Sequence, residues 1–212
     1  AKDNVLELDN TTAYTPTADT HPATKGYVDA NSSAGNVEGA EKIIEVPKYK
    51  KIFFFFDNNH GDTLNMGVRS IEFVHNNVVI PYSNDWVCEA SSEEPISGAT
   101  AYIAKNAFNT SLSKIDGSPM KEWYSNEGEL TNEWLSVYIP DGIIFDEIRI
   151  NNSHHIGTFT EVGVKDTTIV AHANDENAQA VGDTLWAGVV AQHPDVNAEL
   201  GQQMQNLGGI GQ

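Results

Sequence analysis

Cysteine, basic side chains and long apolar runs are all scarce in this sequence. Its one cysteine, Cys88, excludes an internal disulfide and a zinc site built from several thiolates. Twelve Lys and Arg stand against thirty Asp and Glu, and the resulting formal net charge of -18 repels phosphate backbones and anionic lipids. No apolar run approaches the ~20 residues that a membrane span needs. We therefore expect no nucleic-acid partner and no membrane insertion.

Composition divides the 212 residues into three segments. Residues 1–47 carry eight acids and three lysines and have too few large apolar side chains for a core, which predicts an extended arm with a short helix. Residues 48–172 hold nine of the twelve basic residues and most of the aromatic ones, which predicts the folded body. Residues 173–212 have five acids and no Lys or Arg, and we expect a helical C-terminal appendage there.

Short apolar runs with a period of two residues dominate the body and predict strands. The connectors between them, such as DNNHGD, SSEEPISG and IPDG, are rich in Asn, Asp, Gly, Ser and Pro, which favour turns. Many short antiparallel strands at this spacing indicate a sandwich or a barrel. The predicted strands are 52–56, 68–74, 78–80, 134–139, 144–150 and 162–170.

Helices are predicted only in the flanking segments. Pro22 occupies the position of a first helical residue, and a short helix is expected to continue over 23–30. A second helix is expected over 175–191, where Val181, Leu185, Trp186 and Val189 form an apolar stripe. A third is expected to open at His193-Pro194 and to run to Leu207, before glycines end it. Helices this short need a partner surface for their apolar stripes.

The segment NTTAYTPTADTHPATKGYVDA, residues 10–30, contains a specific motif. Its matching residues are Tyr14, Pro16, Thr17, His21, Pro22, Ala23, Thr24, Lys25, Tyr27, Val28 and Asp29. The motif resembles the anchor of bacteriophage fibre proteins, particularly the head-fibre family and some tail-fibre N-termini. The resemblance implies a homotrimer on the exterior of the phage particle, attached through this segment to other virion proteins of the capsid, neck or tail. A disordered linker that contains a proline-started helix is the alternative.

The body contains a second set of matching residues. These are Ala107, Phe108, Asp116, Gly117, Trp123, Trp134, Leu135, Val137 and Ile139, followed by IRINN and GVKDTTIVAH. The pattern is similar to that of galactose-binding-like, or discoidin-like, domains, which implies a mainly β jelly-roll sandwich with Trp123 and Trp134 in or near its core. The insertion NTSLSKI between Phe108 and Asp116 departs from the family pattern, and it lengthens the loop that often holds calcium in such domains.

Two loops are candidate sites for a structural calcium ion, and no other cofactor is expected. Asp57, Asn59 and Asp62 in DNNHGD supply several hard oxygens in one turn, as calcium requires, but Val68 stands where an EF-hand loop has its glutamate. Asp116 in KIDGSP is the second candidate. An ordinary polar turn is the alternative at both places.

A polar loop after the strand over 144–150 is a candidate for glycan contact. Adjacent histidines point apart on extended chain, so His154 and His155 are poorly placed to hold one zinc ion. Together with Tyr124, Asn151 and Asn152, they provide hydrogen-bonding groups and an aromatic ring of the kind that shallow sugar sites use. A solvated loop without a ligand is the alternative.

Motifs for catalysis are absent from the sequence: it has no nucleophile elbow, no glycine-rich phosphate loop and no HExxH. Cys88 has no basic neighbour in sequence and is predicted to be a small apolar filler. We expect a non-enzymatic phage virion protein, of the fibre or capsid-decoration type, whose body contacts host surface glycans. The alternatives are a stand-alone carbohydrate-binding module and a polysaccharide depolymerase, which would need a clustered acid and base.

Overall fold

A computed structural model describes residues 47–95, 102–109, 122–154 and 159–193, together with the backbone of 205–209. All of these residues belong to one compact unit, Val46–Gln212. The phage-fibre motif, the predicted helix over 23–30, Asp116 and His155 lie outside the described residues. Predictions about them, including the homotrimer, are therefore not tested by the structure.

Two antiparallel sheets account for the ten strands of the described chain. The first sheet has the order β4 (Val87–Ala90), β6 (Glu133–Ile143), β1 (Tyr49–Phe56), β8 (Asp166–His172) and β9 (Asp183–Val189). The second has the order β10 (Gln205–Gly209), β7 (Glu147–Asn152), β2 (Gly67–His75) and β3 (Val78–Val79), and β5 (Trp123–Tyr124) also pairs with β2. A five-residue helix, α1 (Ala104–Phe108), and a 3-10 turn, Thr160–Val162, complete the elements.

The two sheets share one apolar core, as expected for a β-sandwich. Alternate residues of β1 point inward, so Ile52, Phe54 and Phe56 are fully buried. The Phe54 ring lies 6.3 Å from that of Phe73 on the second sheet, and the Phe56 ring lies 5.7 Å from that of the buried Trp123. The mainly β fold predicted from the period-two runs is therefore confirmed.

The predicted strands are found close to their expected positions, with differences at their ends. β6 continues past Ile139 to Ile143 through Gly142, whose φ of +74° lies in the left-handed region that glycine tolerates. Residues 160–162 form the 3-10 turn instead of the start of a strand, so β8 begins at Asp166. The edge strand β4 adds a partner for β6.

The predicted helix over 175–191 is wrong. Residues 173–182 form a loop and Asp183–Val189 is strand β9, in which Trp186 pairs with Ile169 of β8. Val181, expected in the buried stripe, is 99% exposed. β9 pairs with the open edge of β8 and so satisfies backbone groups of both strands, while Gly182 and Gly188 weaken a helix.

The predicted C-terminal helix is also wrong where the chain is described. Gln205–Gly209 is strand β10, which pairs with β7. Two consecutive glycines, Gly208 and Gly209, disfavour a helix at this point. The segment 173–212 therefore contributes a strand to each sheet.

Candidate functional site

An open groove lies on the face of the first sheet that points away from the core, beneath the loop 173–182. It encloses a cavity of about 490 Å³, a volume within the range of small-ligand sites. We call it the outer groove. It is lined by Phe53, Glu89, Ala90, Glu93, Trp134, Glu176, Asn177, Ala178 and Gln179.

The floor of the outer groove is aromatic because β1 is apolar on both of its faces. Phe53 points away from the core and is only 1% exposed. Its ring lies 5.5 Å from those of Phe55 and Trp134 and 5.7 Å from the imidazole of His172. Trp134, predicted for the core or its border, instead lies half-buried on this outer face. Edge-to-face packing holds its indole against Phe53.

One buried cation fixes the loop above the floor. Lys51 is 3% exposed, and its Nζ lies 2.5 Å from Glu89 Oε2 and 3.3 Å from Asp175 Oδ1. The ammonium group thus joins the loop to the edge strand β4. Both carboxylates remain more than half exposed.

The carboxylates that line the outer groove differ in how far the protein uses them. Glu93 Oε1 accepts the backbone N–H of Ala104 at 2.8 Å, at the start of α1. Glu89 is paired with Lys51. Glu176 is exposed, and no hydrogen bond or ion pair engages its carboxylate among the described residues. Glu176 is therefore the carboxylate most available to a ligand.

A second cavity, of about 390 Å³, lies on the other side of the same loop. At its rim, Asp183 Oδ2 accepts hydrogen bonds from the Tyr49 hydroxyl and from Lys48 Nζ, both at 2.9 Å. These contacts with Lys48 and Tyr49 lower the pKa of the Asp183 carboxyl below its ordinary value. Lys48 and Asp183 are paired with each other, so we assign these two residues a structural role at the base of the loop.

The described residues predicted to contact a glycan are largely buried rather than displayed on an open surface. Ser153 Oγ lies 2.6 Å from Glu122 Oε2 and 3.0 Å from the Tyr124 hydroxyl. Burial is the main cause that raises the pKa of Tyr124. Asn151 is fully buried, and Asn152 donates to the carbonyl oxygens of Val164 and Ala191.

His154 is buried through a separate set of contacts. It is 3% exposed, its carbonyl oxygen accepts a hydrogen bond from Arg69 at 2.8 Å, and its ring stacks on that of His193 with a centroid distance of 3.5 Å. These side chains hold segments of the protein together, and the outer groove is more accessible to a large ligand.

Asn59 and Asp62 of the DNNHGD loop use side-chain oxygens to close turns within and just after the loop. Asn59 Oδ1 accepts the backbone N–H of Gly61 at 2.9 Å, and Asp62 Oδ1 accepts those of Leu64 and Asn65 at 2.7 and 2.9 Å. Within the described ranges, no three His, Cys, Asp or Glu residues are grouped for a metal ion. Calcium at Asp57, Asn59 and Asp62 stays a prediction.

The sequence signal for the outer groove was the run of four phenylalanines over 53–56, which places aromatic rings on both faces of β1. The other groove residues come from β4, β6 and the loop 173–182, and no local pattern connects them.

None of the helices in the described part of the chain has the length and apolarity to cross a membrane. The chain matches no protein-family model, no curated protein and no solved structure at a significant level.

Proposed function

We propose that this protein is a phage virion structural protein, of the fibre or capsid-decoration type. Residues 1–47 would attach it to the exterior of the particle, and the β-sandwich would be displayed outward. The observation that carries the proposal is the specific fibre-like motif over 14–29. It is supported by the fact that all described core residues lie between Tyr49 and Val190, which gives the displayed body a core of its own.

We assign the sandwich to the galactose-binding-like jelly-roll type. Residues of the similar pattern support this assignment by their burial: Phe108, Trp123, Leu135 and Val137 all belong to the core shared by the two sheets. Their spacing in the sequence thus coincides with packing positions in the fold. The long loop after Phe108 and the position of Trp134 on the outer face depart from that pattern.

Adhesion to host surface glycans is the second part of the proposal. It is supported by the outer groove, where Trp134 offers an aromatic surface and Asn177 and Gln179 offer exposed amides. Several copies on one particle would bind several sugars at once, so weak individual contacts would give a high overall avidity. The net charge of -18 would keep such an array soluble and mutually repelling.

A stand-alone carbohydrate-binding module is the alternative, and the same groove favours it. The two functions differ in oligomeric state because fibre proteins with the resembling motif are trimeric. The predicted helical stripe over 175–191, which would have needed a partner surface such as another copy of the chain, gives no support to a trimer because Asp183–Val189 is part of the first sheet. The trimer therefore rests on the motif.

Size-exclusion chromatography with light scattering tests the two functions against each other. The full chain is expected to elute at three times its 23.1 kDa mass at micromolar concentration, with its N-terminal segment protected from protease. A monomer whose flanks are cleaved readily would contradict the virion role and favour the module.

A further inference from the structure

We propose that the outer groove binds a glycan unit that carries a free, protonated amino group. This inference rests on the proposed adhesion to glycans and specifies its ligand as an amino sugar. Three features of the groove carry it: an aromatic floor, an excess of carboxylates and exposed amide groups.

The aromatic floor favours a flat ligand with C–H groups or a positive charge. Trp134 is half-buried and its position is fixed by Phe53. Indole rings bind the apolar face of a pyranose by stacking, and they also attract cations through their electron-rich face. An amino sugar offers both kinds of contact to one ring.

The charge around the groove selects a cationic ligand. Its lining includes Glu89, Glu93 and Glu176 and no basic side chain among the described residues. Lys51 beneath the loop is already shared between Glu89 and Asp175. A protonated amine would therefore find Glu93 and Glu176 without a cationic partner among the described residues, whereas sialylated, sulfated or phosphorylated glycans would be repelled.

The loop supplies polar groups for the sugar hydroxyls. Asn177 Oδ1 accepts the backbone N–H of Gln179 at 3.0 Å, which fixes the turn and leaves the Asn177 NH₂ group as a donor. The Gln179 side chain is exposed at the same rim. Side-chain amides can donate to and accept from hydroxyl groups. They would therefore bind the hydroxyls of the sugar ring, while the carboxylates bind its amine.

The test is calorimetric titration of the full chain with three soluble probes. The probes carry the sugar rings and the positive charges together or only one of the two. The trimer of glucosamine carries the sugar rings and the amines, its fully N-acetylated form carries the rings without the charge, and trilysine carries the charge without the rings. We expect the glucosamine trimer to bind measurably tighter than both others. Equal binding of the acetylated trimer or of trilysine would contradict the proposal, as would no binding of the glucosamine trimer.

Two substitutions locate the binding. Glu176→Gln, on an exposed loop, is expected to weaken binding of the glucosamine trimer about two- to fivefold, the size of an exposed ion pair. Trp134→Ala is expected to weaken it about tenfold through the loss of stacking. Glu127→Gln is the matched control, since it removes the same charge from an exposed turn outside the groove. Equal effects of Glu127→Gln and Glu176→Gln would show attraction to the net charge alone and would overturn the assignment to the groove.

The result is separable from the virion role. Loss of amine preference would leave the oligomeric state and incorporation into particles unaffected. Conversely, a monomer that still prefers the glucosamine trimer would retain the groove assignment and remove the fibre role.

Discussion

His60 links the loop after β1 to the end of β9 through a hydrogen bond from its ring Nε2 to the carbonyl oxygen of Val190, at 2.9 Å. Burial of the ring is the main cause that lowers the pKa of His60 below its ordinary 6.5, and the positive charge of Lys165 acts in the same direction. The hydrogen bond to Val190 and the charge of Asp166 oppose this shift without cancelling it. The fold therefore favours neutral His60.

A histidine whose pKa is lowered by folding destabilises the fold in acid. The unfolded chain binds a proton at His60 below pH 6.5, whereas the folded chain resists it, so this contribution to stability is complete above pH 6.5 and falls as pH decreases toward the lowered pKa. His60→Gln keeps a hydrogen-bond donor and removes the titration. We expect a shallower loss of stability between about pH 7 and pH 5 in urea unfolding. An unchanged slope would contradict this role.

The role of Cys88 could be predicted from its immediate neighbours in the sequence. Its lack of basic neighbours predicted an apolar filler, and its half-buried side chain packs against the core, where burial raises the pKa of the thiol to about 12. Asn152 could not be assigned in this way. Its partners are 12 and 39 residues away in sequence, so its role depends on the fold.

At the scale of elements, Asn152 joins the end of β7 to the segments before β8 and after β9. Its Nδ2 donates to Val164 O at 2.7 Å and to Ala191 O at 3.0 Å. Gly163 permits the close approach, since a Cβ there would lie 2.6 Å from Asn152 Cγ. One side chain therefore holds three segments in register.

Asn152→Ala is expected to lower the free energy of unfolding by about 2–3 kcal/mol, because two carbonyl acceptors lose their donor in a mostly buried place. Urea denaturation measures the change. Asn174→Ala, in the exposed loop 173–182, serves as the control and is expected to change stability by less than about 0.5 kcal/mol. If Asn152→Ala lowers the free energy of unfolding no more than Asn174→Ala does, this account of the junction is refuted.

The wrong helix prediction over 175–191 has a tertiary cause. The stripe of Val181, Leu185, Trp186 and Val189 fits a helical period, but it does not record that β8 has an open edge nearby. Pairing with the edge of β8 makes Asp183–Val189 a strand rather than a helix. Within 48–172, period-two alternation agreed with the partners available, so strands such as β1 and β2 were predictable.

At the scale of the whole molecule, the sandwich followed from the sequence while the outer groove did not. Phe53, Glu89, Trp134 and Glu176 come from four separate elements, and only the order β4-β6-β1 and the return of the loop 173–182 bring them together. Three of the predicted glycan residues, Asn151, Asn152 and His154, lie close together in sequence, but the fold buries them. Local patterns predict elements, and assembly of the elements creates the site.

The central claim is that residues 1–47 attach a self-contained sandwich to a phage particle. Its most direct test is to delete residues 1–30 and to measure the protein in purified particles of the phage that, on this proposal, incorporates the full-length chain. We expect the truncated chain to keep its β-rich circular dichroism and thermal midpoint, because the described core begins at Tyr49, and to be absent from the particles. Truncated protein that is incorporated at the full-length level would contradict the account.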